Sequence, residues 1–102
     1  MYAVIRRYEG IDKTRAEEIR RSINEDFVPM IREASGYHGY WVIEADDAIA
    51  TVGLFETRRD ADDSTQMARE FISDHDLQDA LPNPPQITAG EVTVAGPVHA
   101  LA

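Results

Sequence analysis

Apolar and polar residues alternate in four segments of the chain, as they do in half-buried β-strands. These segments are residues 2–8, 37–44, 49–56 and 86–95. Only Ala45-Asp46-Asp47-Ala48 separates the second segment from the third, which predicts an antiparallel hairpin. The fourth segment is preceded by Pro82-Asn83-Pro84-Pro85. These prolines exclude regular secondary structure there, because proline fixes φ and cannot donate a backbone hydrogen bond.

Two further segments carry apolar residues at spacings of three and four, which places them on one face of a helix. The first face has Ala16, Ile19, Ile23, Phe27, Met30 and Ala34, and the second has Ser64, Met67, Ala68, Phe71, Ile72 and His75. Thr14 to Glu17 has the form of a capping box, and Ser35-Gly36 predicts the end of the first helix. Pro29 lies inside the first pattern, so we expect a kink at residues 27–29. The carboxylates at residues 60–63 suit the start of the second helix.

The resulting order is strand, helix, strand, strand, helix, strand. This order predicts a single ferredoxin-like α+β domain over residues 1–102, with two helices on one face of a four-stranded antiparallel sheet.

Both faces of this sheet are predicted to be apolar. If Glu44 pairs with Ile49, Tyr40 lies opposite Gly53 and His38 opposite Phe55. One face then carries His38, Tyr40, Val42, Ile49, Thr51 and Phe55, and the other carries Tyr37, Trp41, Ile43, Ala50, Val52 and Leu54. Two helices cover only one face, and an uncovered apolar face of this size is rare on monomers. We therefore expect a homodimer that packs sheet against sheet.

Charge and composition exclude several classes of protein. The 102 residues include 19 acidic and 10 basic ones, with a net charge of -9, which argues against a nucleic acid or an anionic membrane as a partner. There is no cysteine, so disulfides and thiolate metal sites are excluded. No apolar run reaches the ~20 residues that span a bilayer. The chain opens on a strand pattern without a signal peptide, so we expect a cytoplasmic protein.

The chain resembles the dimeric α+β-barrel superfamily, and within it the antibiotic-biosynthesis-monooxygenase-like group. The resemblance covers residues 2 to about 95. Its motifs are the opening strand, Phe27-Val28-Pro29 late in the first helix, Gly36-Tyr37 at the start of the second strand, and Leu54-Phe55-Glu56-Thr57 before an acidic helix start. Members of the group often have an aromatic residue followed by Glu and Ser or Thr at this last position.

The resemblance implies a homodimer with a central barrel and a cavity between the helices and the sheet of each subunit. Some relatives oxidise phenolic polyketides without a metal or flavin, some degrade haem, and many have no established activity. The chain has Arg6 and Arg7 where haem-degrading members offer an Asn, and Phe55 where the group usually has Trp. These departures argue against haem degradation.

Cofactor-free oxygenation needs an apolar cavity, a base and donors that hold an oxyanion. The candidate catalytic residues are His75, His38 and Tyr40. His75 follows Phe71 on the apolar face of the second helix, or else it caps carbonyls at the helix end. His38 and Tyr40 share a sheet face, where Tyr40 alternatively only shields Gly53. His99 lies in the tail.

One of Arg6 and Arg7 must point inward, because neighbouring residues on a strand face opposite sides. A buried arginine needs an anionic partner, either a carboxylate from Glu44, Glu56 or Glu91, or a substrate anion. No residue spacing predicts a metal or cofactor site. We therefore expect a homodimeric enzyme that oxidises a small aromatic or quinone-like molecule without a bound cofactor, or alternatively a non-catalytic small-ligand-binding or assembly module on the same fold.

Overall fold

The computed structural model describes residues 1–96, and Pro97 and His99 of the predicted tail lie outside this range. The strands are β1 (Tyr2–Glu9), β2 (Tyr37–Glu44), β3 (Ala48–Phe55) and β4 (Gln86–Glu91). The helices are a 3-10 turn (Lys13–Arg15), α1 (Ala16–Ser22), a π-helical turn (Ile23–Phe27), α2 (Val28–Ile31) and α3 (Arg58–Asp74). None of the helices in this part of the chain is both long and apolar enough to span a bilayer.

The four strands form one antiparallel sheet in the order β2-β3-β1-β4. The helices pack on one face of this sheet, where the buried core includes Val4, Ile19, Phe27, Phe55 and Phe71. The predicted ferredoxin-like α+β architecture is confirmed. The last strand is shorter than predicted, since β4 ends at Glu91 instead of residue 95.

The predicted break in the first helical segment is a π-helical turn immediately before α2. Pro29 has no N–H for the carbonyl of Glu25, and its ring crowds that carbonyl, so a regular α-helix cannot pass through this point. The wider turn shifts the helix phase by about one residue. As a result Ile31 is fully buried and Met30 is 41% exposed, so the prediction that Met30 belongs to the apolar face was wrong.

The predicted capping box at Thr14 was also wrong. Asp12 caps the 3-10 turn instead, because its carboxylate accepts hydrogen bonds from the backbone N–H of Thr14 at 3.0 Å and from the Thr14 hydroxyl at 2.6 Å. These two bonds lower the pKa of Asp12 below its ordinary value. Arg15, the residue before α1, makes no side-chain cap. The cap of α3 is Thr57, which accepts from the Asp60 N–H.

A β-bulge between Tyr37 and Gly39 changes the predicted faces of β2. The pairs Glu44–Ile49 and Tyr40–Gly53 are as predicted, but Phe55 lies opposite Tyr37 and not opposite His38. The Tyr37 ring therefore packs edge-on against Phe55 at 6.3 Å, and the extra residue, His38, is exposed.

The face of the sheet away from the helices is apolar, as the alternation predicted. Ile5 on β1 and Trp41 and Ile43 on β2 are 39%, 42% and 54% exposed. The Trp41 ring lies over Gly39, where a Cβ would come within 2.6 Å of it. The sheet thus has one face covered by helices and one left open.

Candidate functional site

A narrow cavity lies between the covered face of the sheet and the helices. Its lining comes from every layer of the fold: Tyr8, Ile19, Ile23, Phe27, Tyr40, Ile49, Thr51, Ala68, Phe71, Ile72, Leu77 and Leu81. The cavity has a volume of about 390 Å³ when the space at its open mouth is included. The side chains leave enclosed room for little more than a water molecule. The cavity is therefore narrow, and its lining is almost entirely apolar.

A buried guanidinium lies beside this cavity. Arg6 alternates with Val4 and Tyr8 along β1, so all three point toward the helices, and Arg6 is only 1% exposed. It donates hydrogen bonds to the hydroxyls of Tyr40 at 3.2 Å and Thr65 at 3.0 Å, with a longer contact of 3.5 Å to Ser64. Its partners are thus neutral hydroxyl groups.

The carboxylate partners expected for the inward arginine are engaged elsewhere. Glu44 pairs with Arg20 at 3.1 Å, Glu56 with His38, and Glu91 with the terminal amine at 3.5 Å. Of the two alternatives for the partner of the inward arginine, the carboxylate of Glu44, Glu56 or Glu91 was therefore wrong. None of the carboxylates in residues 1–96 forms an ion pair with Arg6.

Two buried polar side-chain atoms in this part of the chain have no hydrogen-bond partner, and they belong to neighbouring residues. They are Nε of Arg6 and Oγ1 of Thr51, and these two residues are paired across β1 and β3. An unpaired buried donor or hydroxyl destabilises a fold by about 1–3 kcal/mol. Both unpartnered atoms therefore lie at one position of the sheet, on its covered face.

Two phenol groups flank the Arg6 guanidinium. Tyr40 packs its ring against Phe27, with centroids 5.4 Å apart, and thereby aims its hydroxyl at Arg6. Tyr8 is buried, and this burial raises the pKa of its phenol, while the charge of Arg6 acts in the opposite direction. The effect of burial is the larger of the two, so the pKa of Tyr8, which lines the cavity, lies above its ordinary value.

The structure brings only one of the three candidate catalytic residues to the cavity, and that is Tyr40. His75 lies at the end of α3 with its ring 4.0 Å from that of Phe71, and its Nδ1 is 3.1 Å from the Phe71 carbonyl oxygen. Its Nε2 is 3.7 Å from a carboxylate oxygen of Asp26. This arrangement matches the alternative of a histidine at a helix end. His38 is exposed at the bulge, where it bonds Glu56.

The residues that the sequence alone left out of the site are Thr51, Tyr8 and Phe27. The alternation along β3 places Thr51 on the covered face between Ile49 and Gly53, so the sequence could have indicated that Thr51 faces the cavity. That the Thr51 hydroxyl lacks a hydrogen-bond partner is visible only in the structure. Within residues 1–96, no three His, Asp or Glu side chains lie close enough together to hold a metal ion.

Solved structures with this arrangement of strands and helices come from several organisms. A monooxygenase from Streptomyces coelicolor, in complex with the ligand Nanaomycin D, has a TM-score of 0.73 and 13% identity, and covers 92% of this chain and 88% of its own. A protein of unknown function from Nitrosomonas europaea, NE2512, has a TM-score of 0.74 and 14% identity over 93% and 91%. The chain has the same fold as these two proteins.

A third similar structure is a dimeric ferredoxin-like protein from an uncultured marine organism, with a TM-score of 0.65 and 10% identity over 93% of this chain and 96% of that one. No protein-family model matches the sequence, and no curated protein matches it either. At these sequence identities, the similarity shows a shared fold. The resemblance to monooxygenase-like proteins that the motifs indicated is confirmed for the fold.

Replacing Thr51 with valine tests the unpartnered hydroxyl. Because the hydroxyl has no partner, we expect Thr51→Val to leave the free energy of unfolding in urea unchanged or to raise it by about 1 kcal/mol. The matched variant is Thr65→Val, which removes an acceptor of the buried Arg6 and should lower that free energy by about 1–3 kcal/mol. A loss in Thr51→Val as large as that in Thr65→Val would show that the Thr51 hydroxyl has a partner within the fold.

Proposed function

We propose that this protein binds a small aromatic or quinone-like molecule between its helices and sheet, and oxidises it without a bound cofactor. The observation that carries the proposal is the pair of unpartnered polar atoms on Arg6 and Thr51 beside a narrow cavity with aromatic walls. A phenolic oxygen of the ligand would meet both atoms, while its ring would pack against Phe27 and Phe71.

Admitting such a ring requires the cavity to widen, and the π-helical turn offers a wall that can move. Ile23 and Phe27, the two ends of this turn, both line the cavity. Single π-helical turns inside α-helices are rare, and they are frequent at functional sites. We therefore place the opening motion in the segment from Ile23 to Phe27, ahead of Pro29.

The proposed chemistry begins with a phenol that loses its proton to solvent water as it binds, so that a phenolate lies beside the Arg6 guanidinium. The positive charge stabilises the oxyanion and so makes the ring electron-rich, and the Tyr40 hydroxyl, already bonded to Arg6, orients the same oxygen. Dioxygen is the oxidant: one of its atoms enters the ring to give a quinone, and the other leaves as water. His75, stacked on Phe71, would position that wall of the cavity, and His38 has no part in this proposal.

The solved monooxygenase that holds Nanaomycin D supports the proposal, because this chain shares its fold. A second function is supported by a different observation. Neither His38 nor His75 lines the cavity, so a histidine base is not in place there. This arrangement favours the non-catalytic alternative, in which the same cavity binds an aromatic ligand without turnover.

Oxygen uptake with a panel of phenols and hydroquinones separates the two functions. An enzyme should consume dioxygen with at least one of them, and Tyr40→Phe should lower the rate by about 10²-fold or more, as loss of an oxyanion donor does. Tyr37→Phe is the matched control, since Tyr37 lies on the same strand and packs against Phe55, away from the cavity. Binding of a phenol without any uptake would support the non-catalytic alternative, and no binding by any compound would contradict both.

We also propose that two copies pack through their open sheet faces. This face exposes Ile5, Trp41 and Ile43, and no segment of residues 1–96 covers it. Burial of such a face stabilises a complex by about 25 cal/mol per Å² of apolar surface. The similar protein from a marine organism is described as dimeric, which supports the proposal. The cytoplasmic location stays a prediction.

Sedimentation at micromolar concentration tests the dimer. We expect twice the mass of one chain, and we expect Ile43→Glu to give single chains because it would bury a carboxylate in the interface. Met30→Glu is the control, since Met30 is also exposed but lies on α2, on the opposite side of the sheet. A wild-type protein that sediments as a single chain would contradict the proposal.

A further inference from the structure

A second depression, an open groove, lies between α3 and the proline-rich segment that precedes β4. Its lining residues are Arg6, Tyr8, Thr65, Arg69, Ile72, Ser73, Gln78, Leu81, Pro82, Asn83, Pro84, Pro85 and Ile87. Two of these are arginines, and none of the described residues that line the groove is Asp or Glu. In a chain with a net charge of -9, a groove whose charged lining residues are both arginines reverses the sign of the surface charge locally.

The two arginines occupy different depths of this groove. Arg6 is buried at its floor, where its guanidinium bonds Thr65 on α3. Arg69 lies one helical turn further along α3 and is exposed, and its one hydrogen bond is to the neutral amide of Gln66 at 2.8 Å. Neither charge is matched by a carboxylate in residues 1–96. A planar guanidinium with free N–H groups is the preferred partner of a carboxylate.

The opposite wall of the groove has a fixed shape. Pro82, Pro84 and Pro85 restrict the backbone there, and Asn83 between them anchors the segment by donating to the Glu9 carbonyl at 2.9 Å. Because the backbone of this wall is already restricted, it loses little conformational entropy when a ligand binds. The entropic cost of binding is therefore lower.

The groove and the aromatic cavity share a wall. Tyr8, Ile72 and Leu81 line both spaces. A ring held against Phe71 in the cavity would therefore direct a substituent past these three residues toward Arg6 and Arg69. The apolar space and the cationic space together match one amphiphilic molecule, with an aromatic body and an anionic end.

We propose that the groove lined by Arg6 and Arg69 is a carboxylate-binding subsite, and that the ligand of this protein is an aromatic carboxylic acid. This inference rests on the proposed function for the placement of the ring, and adds the class of molecule that the site selects. Arg69 forms the outer contact with the carboxylate, and Arg6 supplies a second positive charge beneath it.

Calorimetric titration of the full chain tests the subsite with probes of matched shape. The probes are 1-naphthoate, its neutral amide 1-naphthamide, 1-naphthyl phosphate and acetate. We expect 1-naphthoate to bind about tenfold or more tightly than the amide, which is the effect of one charge-assisted hydrogen-bonded contact. Arg69→Gln should remove this preference and leave binding of the amide unchanged.

Arg59→Gln is the matched control, because it makes the same change of charge at another exposed position of α3, outside the groove. Equal affinity for 1-naphthoate and the amide would overturn the subsite while leaving the aromatic cavity intact. A preference that Arg59→Gln reduces as much as Arg69→Gln would overturn it as well, since the effect would then come from net charge. Tighter binding of 1-naphthyl phosphate, or equal binding of acetate, would overturn the assignment to an aromatic carboxylic acid. No binding by any probe would contradict both this inference and the proposed function.

Discussion

The burial of one arginine without a carboxylate is the constraint on which the site depends. Burying a charge is costly unless hydrogen bonds and an opposite charge replace its hydration. Arg6 has hydroxyl partners from β2 and α3, and its Nε has none. Tyr40 on β2 and Thr65 on α3 both direct their hydroxyls to the guanidinium of Arg6 on β1. Three elements therefore meet at a cation that no carboxylate in residues 1–96 neutralises. A ligand anion would complete this arrangement.

Much of the architecture follows from periodicity, because the pattern of apolar positions reports which face of an element is buried. The order of elements, the hairpin register at Glu44 and Ile49, and the two apolar faces of the sheet were all predictable. Local irregularities limited this approach. The π-helical turn before Pro29 moved burial from Met30 to Ile31, and a bulge moved His38 out of register. Each adds one residue to an element, which no fixed period can anticipate.

The site was less predictable than the fold, because its determinants are contacts between distant segments. Strand alternation indicated that one arginine points inward, but the choice of partner depends on where Ser64 and Thr65 of α3 lie. The expected carboxylates are engaged by nearer cations at the edges of the structure. His75 satisfies the helical pattern and yet lies at the helix end, beside Asp26, because α3 stops there.

The two faces of the sheet have different roles. The covered face holds the charge and the aromatic cavity, and the open face holds the apolar residues that would meet a second copy. Two irregular segments border the covered face: the π-helical turn at the cavity wall and the proline segment at the groove.

The most direct test of the central claim is the free energy of unfolding of Arg6→Met, measured in urea with and without a phenol that the wild-type protein binds. If Arg6 serves a ligand, the variant without ligand should be about as stable as the wild type, because the substitution removes a buried charge that no carboxylate in residues 1–96 neutralises. The phenol should then stabilise the wild type alone. A variant that is markedly less stable without ligand, yet is still stabilised by the phenol, would show that Arg6 supports the fold and does not serve the site.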